Sequence, residues 1–161
     1  MRRWFARNLG LWRSRSQYIF DDQVLNLDMF IRIESFAESK ALDARYRFSW
    51  WPEDDCDFFF EKKPDYEREG TIEATLWGHQ LLRSRGYLSD SPLKINIRQV
   101  DEHESISETH YEQWHILEHN RLIDRDRYRS RAIYSWADDE LKIVEHHHEV
   151  RLEGAAPPVE E

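Results

Sequence analysis

Residues 127–136 are RYRSRAIYSW, an alternation that predicts a β-strand with two chemically different faces. Side chains on a strand point to opposite sides in turn, so Arg127, Arg129 and Arg131 share one face and the aromatic residues share the other. Guanidinium groups about 6.5–7 Å apart along a strand suit planar anions such as carboxylates or phosphates. Two orientations fit this pattern. The arginines lie in water with the aromatic residues in the core, or they point into a cup that holds an acidic ligand.

The composition predicts one folded domain built from thin amphipathic elements. The chain has 161 residues, of which 34% are charged and 14% are aromatic, and its mean hydropathy is −0.86. The charge content alone is typical of disorder, but disordered chains are poor in aromatic residues. We predict a single domain over residues 1–153 and a flexible tail over residues 154–161.

Charge and cysteine content exclude several classes of protein. A net charge of −9 argues against nucleic acid as a partner, since phosphate binding needs clustered cations. The single cysteine, Cys56, rules out an internal disulfide, and the neighbouring Asp55 and Asp57 disfavour a reactive thiolate. The chain shows neither the apolar core of a signal peptide nor an apolar run of 18 residues. We therefore expect a cytoplasmic protein without a membrane partner.

Period-2 patterning dominates the chain after a short predicted helix at residues 2–9 that ends at Gly10. Its clearest examples are residues 27–36 and 42–51. Residues 79–86 are predicted as a helical turn or loop. The predicted strands are 11–20, 27–36, 42–51, 56–61, 71–77, 93–97, 106–116, 125–136 and 141–152. About nine or ten serial strands close most economically into an antiparallel up-and-down barrel, which leaves no unpaired edge. A two-sheet sandwich is the main alternative.

Three segments, in order along the chain, resemble the S-type phycobiliprotein lyases. The first runs from Trp4 to Ser16 and contains the family-like pattern G-L-W-R-S-R-S. The second, residues 81–87, is similar to the family's L-L-R-x-x-G-Y segment. The third contains Tyr111 and Glu112, then Glu118 and Arg121, then residues 127–130 with the sequence R-Y-R-S.

The resemblance implies a lipocalin-like antiparallel barrel that binds an open-chain tetrapyrrole, or bilin. A lyase of this kind delivers phycocyanobilin or phycoerythrobilin to a cysteine of a phycobiliprotein subunit and assists formation of a thioether bond. The bilin is then cargo, and no metal or tightly bound cofactor is expected. The expected partners are the bilin and the acceptor subunit, and a homodimer or a second lyase subunit is left open.

A bilin site needs cations for two propionates, a carboxylate for the pyrrole nitrogens and aromatic walls. We predict that Arg127 and Arg129 bind the propionates. Arg13 and Arg15 on the first strand are helpers if they face inward, because the first and last strands of a closed barrel are neighbours. A solvated strand face is the alternative for Arg13 and Arg15.

Glu112, on a strand face shared with His110 and Trp114, is predicted to pair with the protonated pyrroles or to act as the general acid. An inward carboxyl group in an apolar barrel would have a raised pKa, which suits proton donation near neutral pH. A solvent-exposed glutamate is the alternative. The candidate aromatic wall residues, for which core packing is an equal explanation, are Trp12, Trp50, Tyr111 and Trp114.

Residues 146–148 are three successive histidines, a composition that raises the question of a metal site. On a strand His146 and His148 share one face, and a site would need further ligands such as His110 or His115. Their spacing identifies no site, so we predict solvated histidines and no metal centre. Two other functions stay open for the barrel. One is a non-catalytic carrier of a fatty acid, haem or another amphipathic anion. The other is an interaction module whose interior is filled by side chains.

Overall fold

The period-2 segments form ten antiparallel strands in the computed structural model, which describes residues 1–36, 44–86 and 91–154. The elements are α1 (Arg2–Asn8), β1 (Gly10–Ile19), β2 (Val24–Ser35), β3 (Ala44–Pro52), α2 (Asp57–Lys62), β4 (Gly70–Trp77), β5 (Gln80–Arg83), β6 (Leu93–Gln99), β7 (Glu104–Tyr111), β8 (Trp114–Ile123), β9 (Tyr128–Ala137) and β10 (Glu140–Glu153). Each strand pairs with its neighbour in sequence, and β1 pairs with β10, so the sheet closes into a barrel. The predicted antiparallel up-and-down barrel with a short N-terminal helix is confirmed, and the sandwich alternative is wrong.

The seam between β1 and β10 begins at a glycine. Gly10 follows Leu9, the C-cap residue of α1, and has a φ angle of +119°, which side-chain-bearing residues rarely adopt. A Cβ at this position would also collide with the carbonyl oxygen of Glu153 on the partner strand. Gly10 therefore lets the chain turn from the helix directly into the barrel. Of the predicted tail, only Gly154 lies within the described residues.

Three local predictions are wrong, and each has a physical reason. Residues 56–61 contain helix α2 and no strand, because Phe59 and Phe60 pack as a helical pair on the end of the barrel. Residues 80–83 form strand β5, and the predicted strand 106–116 is a hairpin with its turn at Glu112 and Gln113. No helix in the described parts of the chain is both long and apolar enough to cross a membrane.

Two apolar clusters fill the two ends of the barrel. At one end α1 inserts Trp4 and Phe5, and the Phe5 ring stacks on Tyr46 at 4.9 Å. At the other end α2 places Phe59 against Tyr18, with ring centroids 5.0 Å apart. Each of these buried aromatic side chains contributes about 1.5–3 kcal/mol through removal of apolar surface from water. The interior between the two clusters is not filled, and this space is the candidate site.

Candidate ligand-binding cavity

A partly open cavity of about 190 Å³ lies inside the barrel between the two apolar clusters. Every second residue of a strand faces this interior, so the alternation seen in the sequence gives the cavity its walls. The aromatic residues that line it within the described residues are Tyr18, Phe48, Trp50, Phe60, Tyr66, Tyr111 and Trp114. Aliphatic side chains such as Met29 and Ile116 complete an apolar surface. The cavity suits a flat, conjugated ligand.

Charged groups also reach the cavity, which is unusual for a purely apolar carrier. Two arginines, Arg83 and Arg131, line it together with three glutamates, Glu67, Glu118 and Glu145. Arg131 and Glu118 are hydrogen-bonded to each other beside this apolar space, where electrostatic interactions are less screened than in water. Such a lining can bind a ligand that carries both anionic groups and hydrogen-bond donors.

Arg131 is held in the cavity wall by two carboxylates. Its Nε and Nη2 atoms donate to Glu149 Oε1 at 3.0 and 2.9 Å, and its Nη1 atom donates to Glu118 Oε1 at 3.3 Å. The Glu118 oxygen also accepts from Asn120 Nδ2 at 3.2 Å. These bonds hold one edge of the Arg131 guanidinium on Glu149, while the longer bond to Glu118 lies at the cavity wall.

Arg129 lies behind the cavity wall, in contact with Glu149, Asn8 and Trp12. It is 4% exposed and does not line the cavity. Its Nε atom donates to Glu149, its Nη1 atom donates to Asn8 Oδ1 at 3.1 Å, and its guanidinium lies 4.4 Å from the Trp12 ring centroid. Glu149 thus joins two arginines of the same strand, and Arg129 already has its carboxylate.

The Glu149 carboxylate is fully buried, and burial alone would raise its pKa. Its two arginine partners outweigh burial and hold the pKa of Glu149 well below its ordinary value. A carboxylate with a depressed folded-state pKa stabilises the fold above its unfolded-state pKa. That contribution is lost as the pH falls through the folded-state value.

We therefore expect the free energy of unfolding to decrease as the pH is lowered from about 4.5, and to decrease more steeply than in Glu149→Gln. Urea unfolding at several pH values measures both slopes. Glu112→Gln is the matched control, because Glu112 lies in an exposed turn and its variant should follow the wild-type profile. Parallel profiles for wild type and Glu149→Gln would contradict this role for Glu149.

A second polar array crosses the wall between β1 and β10. The ring of His147 joins Ser16 Oγ, 2.6 Å from its Nδ1 atom, to Glu145 Oε1, 3.1 Å from its Nε2 atom. Because the Glu145 carboxylate accepts a hydrogen bond from Nε2–H, the Nδ1 atom accepts a hydrogen bond from the Ser16 hydroxyl group. The predicted solvated histidine is wrong for His147, which is buried, whereas His146 and His148 on the outer face are exposed.

The structure separates the predicted arginines. Arg129 and Arg131 point inward, so the alternative with aromatic residues in the core is wrong, and Tyr134 and Trp136 lie on the outer face. Arg127 precedes the strand, and its side chain is 69% exposed near Asp124. It cannot contact the cavity from there.

The two arginines of β1 lie on the outside of the barrel. Arg13 pairs with Glu53, and Arg15 is exposed to solvent. The inward residues of this strand are Ser14, Ser16 and Tyr18. The predicted adjacency of the first and last strands is confirmed, but it brings hydroxyl groups and no arginine to the cavity.

Glu112, the predicted general acid, is in an exposed turn and not on a strand. Its φ angle is +50°, and it forms the tip of the β7–β8 hairpin with Gln113. The predicted face shared with His110 and Trp114 therefore does not exist, because those residues lie on opposite sides of the turn. Glu112 does not line the cavity.

Of the four predicted aromatic residues, three line the cavity and one does not. Tyr111 and Trp114 are directly opposite each other on β7 and β8, and both line the cavity, as does Trp50. Trp12 is fully buried outside the cavity lining, where its Nε1 atom donates to Asn8 O at 2.9 Å. Burial, followed by the nearby charge of Glu112, raises the pKa of Tyr111, so its hydroxyl stays a hydrogen-bond donor at neutral pH.

Three carboxylates of the cavity were missed in the sequence, and alternation would have found two of them, since Glu67 lies between α2 and β4 and not on a strand. Counting in twos from Trp114 gives Ile116 and Glu118, and counting back from Glu149 gives His147 and Glu145. The predicted strand 106–116 runs through the turn at Glu112 and Gln113. The predicted acid was therefore placed at a turn residue and not at one of the inward positions.

Cys56 lies beside α2 and is not a nucleophile. Burial, followed by the Asp54 carboxylate that accepts from Sγ at 2.9 Å, raises its pKa to about 11. The thiolate fraction at neutral pH is therefore very small. The sequence suggested that Asp55 and Asp57 disfavour the thiolate, and in the structure Asp54 has this effect.

A closed antiparallel barrel with a short N-terminal helix and an internal cavity is a lipocalin-like fold. No protein-family model and no curated protein matches this chain. Among solved structures, it resembles the S-type phycobiliprotein lyase CPES from Guillardia theta, with a TM-score of 0.70 and 18% sequence identity. That similarity covers 95% of this chain and 93% of the lyase.

A second solved structure shares the barrel. It is a protein of unknown function from the DUF3598 family of Nostoc punctiforme, with a TM-score of 0.62 and 20% identity. The similarity covers 91% of this chain and 48% of that protein. The chain therefore has the fold of an S-type phycobiliprotein lyase.

Proposed function

We propose that this protein is a phycobiliprotein lyase or bilin chaperone. It binds an open-chain tetrapyrrole in the barrel and assists its thioether attachment to a cysteine of a phycobiliprotein subunit. The observation that carries the proposal is the pairing of Arg131 with Glu118 at the wall of an aromatic cavity. The fold shared with an S-type lyase supports it.

The chemistry of a bilin matches this lining group by group. Its two propionates call for cations, which Arg131 and Arg83 supply at the cavity wall. Its pyrrole N–H groups call for carboxylates, for which Glu118 and Glu145 replace the misplaced Glu112. Its conjugated surface packs on the aromatic residues of the wall.

Binding can keep every buried charge paired. The Arg131–Glu118 hydrogen bond is long, at 3.3 Å, while Arg131 keeps Glu149 as a second partner. A propionate that replaces Glu118 on Arg131 frees the Glu118 carboxylate for pyrrole N–H groups. This exchange avoids the cost of leaving a buried charge without a partner.

The size of the cavity fits a ligand that is only partly enclosed. Its volume of about 190 Å³ is below the roughly 300–1,000 Å³ of sites that enclose drug-sized molecules. Part of a tetrapyrrole therefore extends through the opening, where a cysteine of the acceptor subunit can approach. The thiol adds across an exocyclic double bond: sulfur bonds to one carbon and the thiol proton ends on the other. The barrel contributes orientation.

A carrier of fatty acids or haem is not favoured by the lining. A fatty acid offers one carboxylate for an arginine, but it adds no hydrogen-bond donor to those that Glu118 receives from Arg131 and Glu145 receives from His147 at the cavity wall. Burying these groups against hydrocarbon would cost free energy. Haem is rigid and wide, and it would need a larger enclosed space.

The lyase activity is tested by chromophore transfer to an apo-phycobiliprotein subunit with phycocyanobilin or phycoerythrobilin as donor. We expect this protein to increase the yield of covalently attached bilin, detected as zinc-enhanced fluorescence of the denatured subunit. An acceptor subunit with its cysteine changed to serine is the control. Equal yields with and without this protein would overturn the lyase activity and leave only the binding role.

A further inference from the structure

The outer face of the β7–β8 hairpin carries a cluster that the cavity does not use. Glu108 and His110 alternate with the inward residues of β7, and His115 lies directly opposite His110 on β8. One potential ligand atom from each of the three residues falls within 4.8 Å of the other two. We propose that Glu108, His110 and His115 form a site for a divalent transition metal ion of the Zn²⁺ type.

The donor set has the chemistry of such a site. Two imidazole nitrogens and one carboxylate are ligands that Zn²⁺ accepts, with the remaining positions filled by water at an exposed site. The Glu108 oxygen Oε1 already lies 2.7 Å from His110 Nε2 and 3.4 Å from His115 Nε2.

An unsatisfied nitrogen points to the same place. His115 Nε2 is buried and has no hydrogen-bond partner among the residues that the structure describes. The contact of 3.4 Å with Glu108 is longer than a good N–H···O hydrogen bond. A buried polar atom of this kind needs a partner, and a metal ion would supply one.

The two histidines differ in their freedom to move. Their rings are stacked at 4.2 Å with an angle of 7° between planes, so their lone pairs are nearly parallel. Both can ligate one ion only if a ring turns about its Cβ–Cγ bond. The ring of His115 packs on Trp136 at 5.1 Å and is held, whereas the His110 side chain is 62% exposed and can turn.

The site lies outside the barrel and does not depend on the proposed bilin function. His110 and His115 precede and follow the turn at Glu112 and Gln113, so an ion there would tie the two strands together beside the cavity. The adjacent pair, Tyr111 and Trp114, lines the cavity from the same strands.

The test is isothermal titration of the EDTA-treated protein with Zn²⁺ alone. We expect one ion per chain, with affinity reduced at least about tenfold in His110→Gln and in His115→Gln, because each removes a direct ligand. The matched control is His146→Gln/His148→Gln, which removes the exposed His-x-His pair on the outer face of β10 and should leave the affinity unchanged.

Two outcomes would overturn the site. One is an affinity that falls in the His146→Gln/His148→Gln variant and not in the His115→Gln variant, which would assign the ion to β10. The other is the absence of saturable binding to the wild-type protein. Far-UV circular dichroism of each variant confirms that its barrel is intact.

Discussion

Replacing Arg131 by methionine is expected to weaken bilin binding by about 10- to 100-fold, because hydrogen bonds to charged groups contribute roughly 1.5–3 kcal/mol. Arg131 lines the cavity and is the cation that we assign to a propionate. Arg131→Lys should give an intermediate loss, since lysine keeps the charge and lacks the planar fork of the guanidinium. Absorption titration with phycocyanobilin measures the dissociation constants.

The matched control is Arg127→Met, four residues earlier in the same sequence. The Arg127 side chain is 69% exposed, and it lies outside the cavity. Its variant should bind bilin as tightly as wild type. Equal losses in the Arg127 and Arg131 variants would show a general charge effect, and an unchanged affinity in Arg131→Met would remove Arg131 from the site.

The second large effect is on stability. Arg129→Met should lower the free energy of unfolding by about 3–5 kcal/mol, because it leaves one face of a buried carboxylate uncompensated. Glu149 is fully buried and has Arg129 and Arg131 as its charged partners. Arg127→Met, on the exposed side, should change the free energy by less than about 0.5 kcal/mol.

A double-variant cycle separates the ion pair from simple packing. Arg129→Met combined with Glu149→Met should be no less stable than Arg129→Met alone, since the buried carboxylate that has lost one of its two arginine partners is then gone. Urea unfolding of the four proteins gives the coupling free energy. Strictly additive losses would show that Arg129 and Glu149 stabilise the barrel independently of each other.

The barrel could be predicted from the sequence, but some of its turns could not. Strands such as 42–51 alternate cleanly, and serial strands without crossover helices leave few topologies. The β7–β8 turn has no glycine, asparagine or proline between Tyr111 and Trp114, so the alternation continues through it unbroken. Its left-handed residue, Glu112, is set by the pairing of the flanking strands.

Helix α2 shows a second limit of local patterns. Its three phenylalanines, residues 58–60, have the β-propensity of a strand. Phe59 and Phe60 instead pack on Tyr18 and its neighbours at the end of the barrel, while Phe58 is exposed. Tertiary packing decides between helix and strand here, and a single sequence does not contain that information.

The direction of the arginines had to come from the structure, because both faces of β9 carry large side chains. Tyr134 and Trp136 would fill a core well, yet they lie outside against histidines of β8. Glu149 on the neighbouring strand compensates Arg129 and Arg131 and lets them face inward. Alternation therefore identified the row of arginines but not the face of the sheet on which it lies.

The measurement that decides whether the cavity is a bilin site is an absorption and fluorescence titration of the wild-type protein with phycocyanobilin and phycoerythrobilin. Oleate and haem serve as competitors. We predict a saturable, red-shifted and sharpened bilin spectrum at one bilin per chain, with little displacement by oleate. An unchanged bilin spectrum, with saturable binding of oleate or haem in its place, would contradict the proposed bilin site and make the barrel a general carrier.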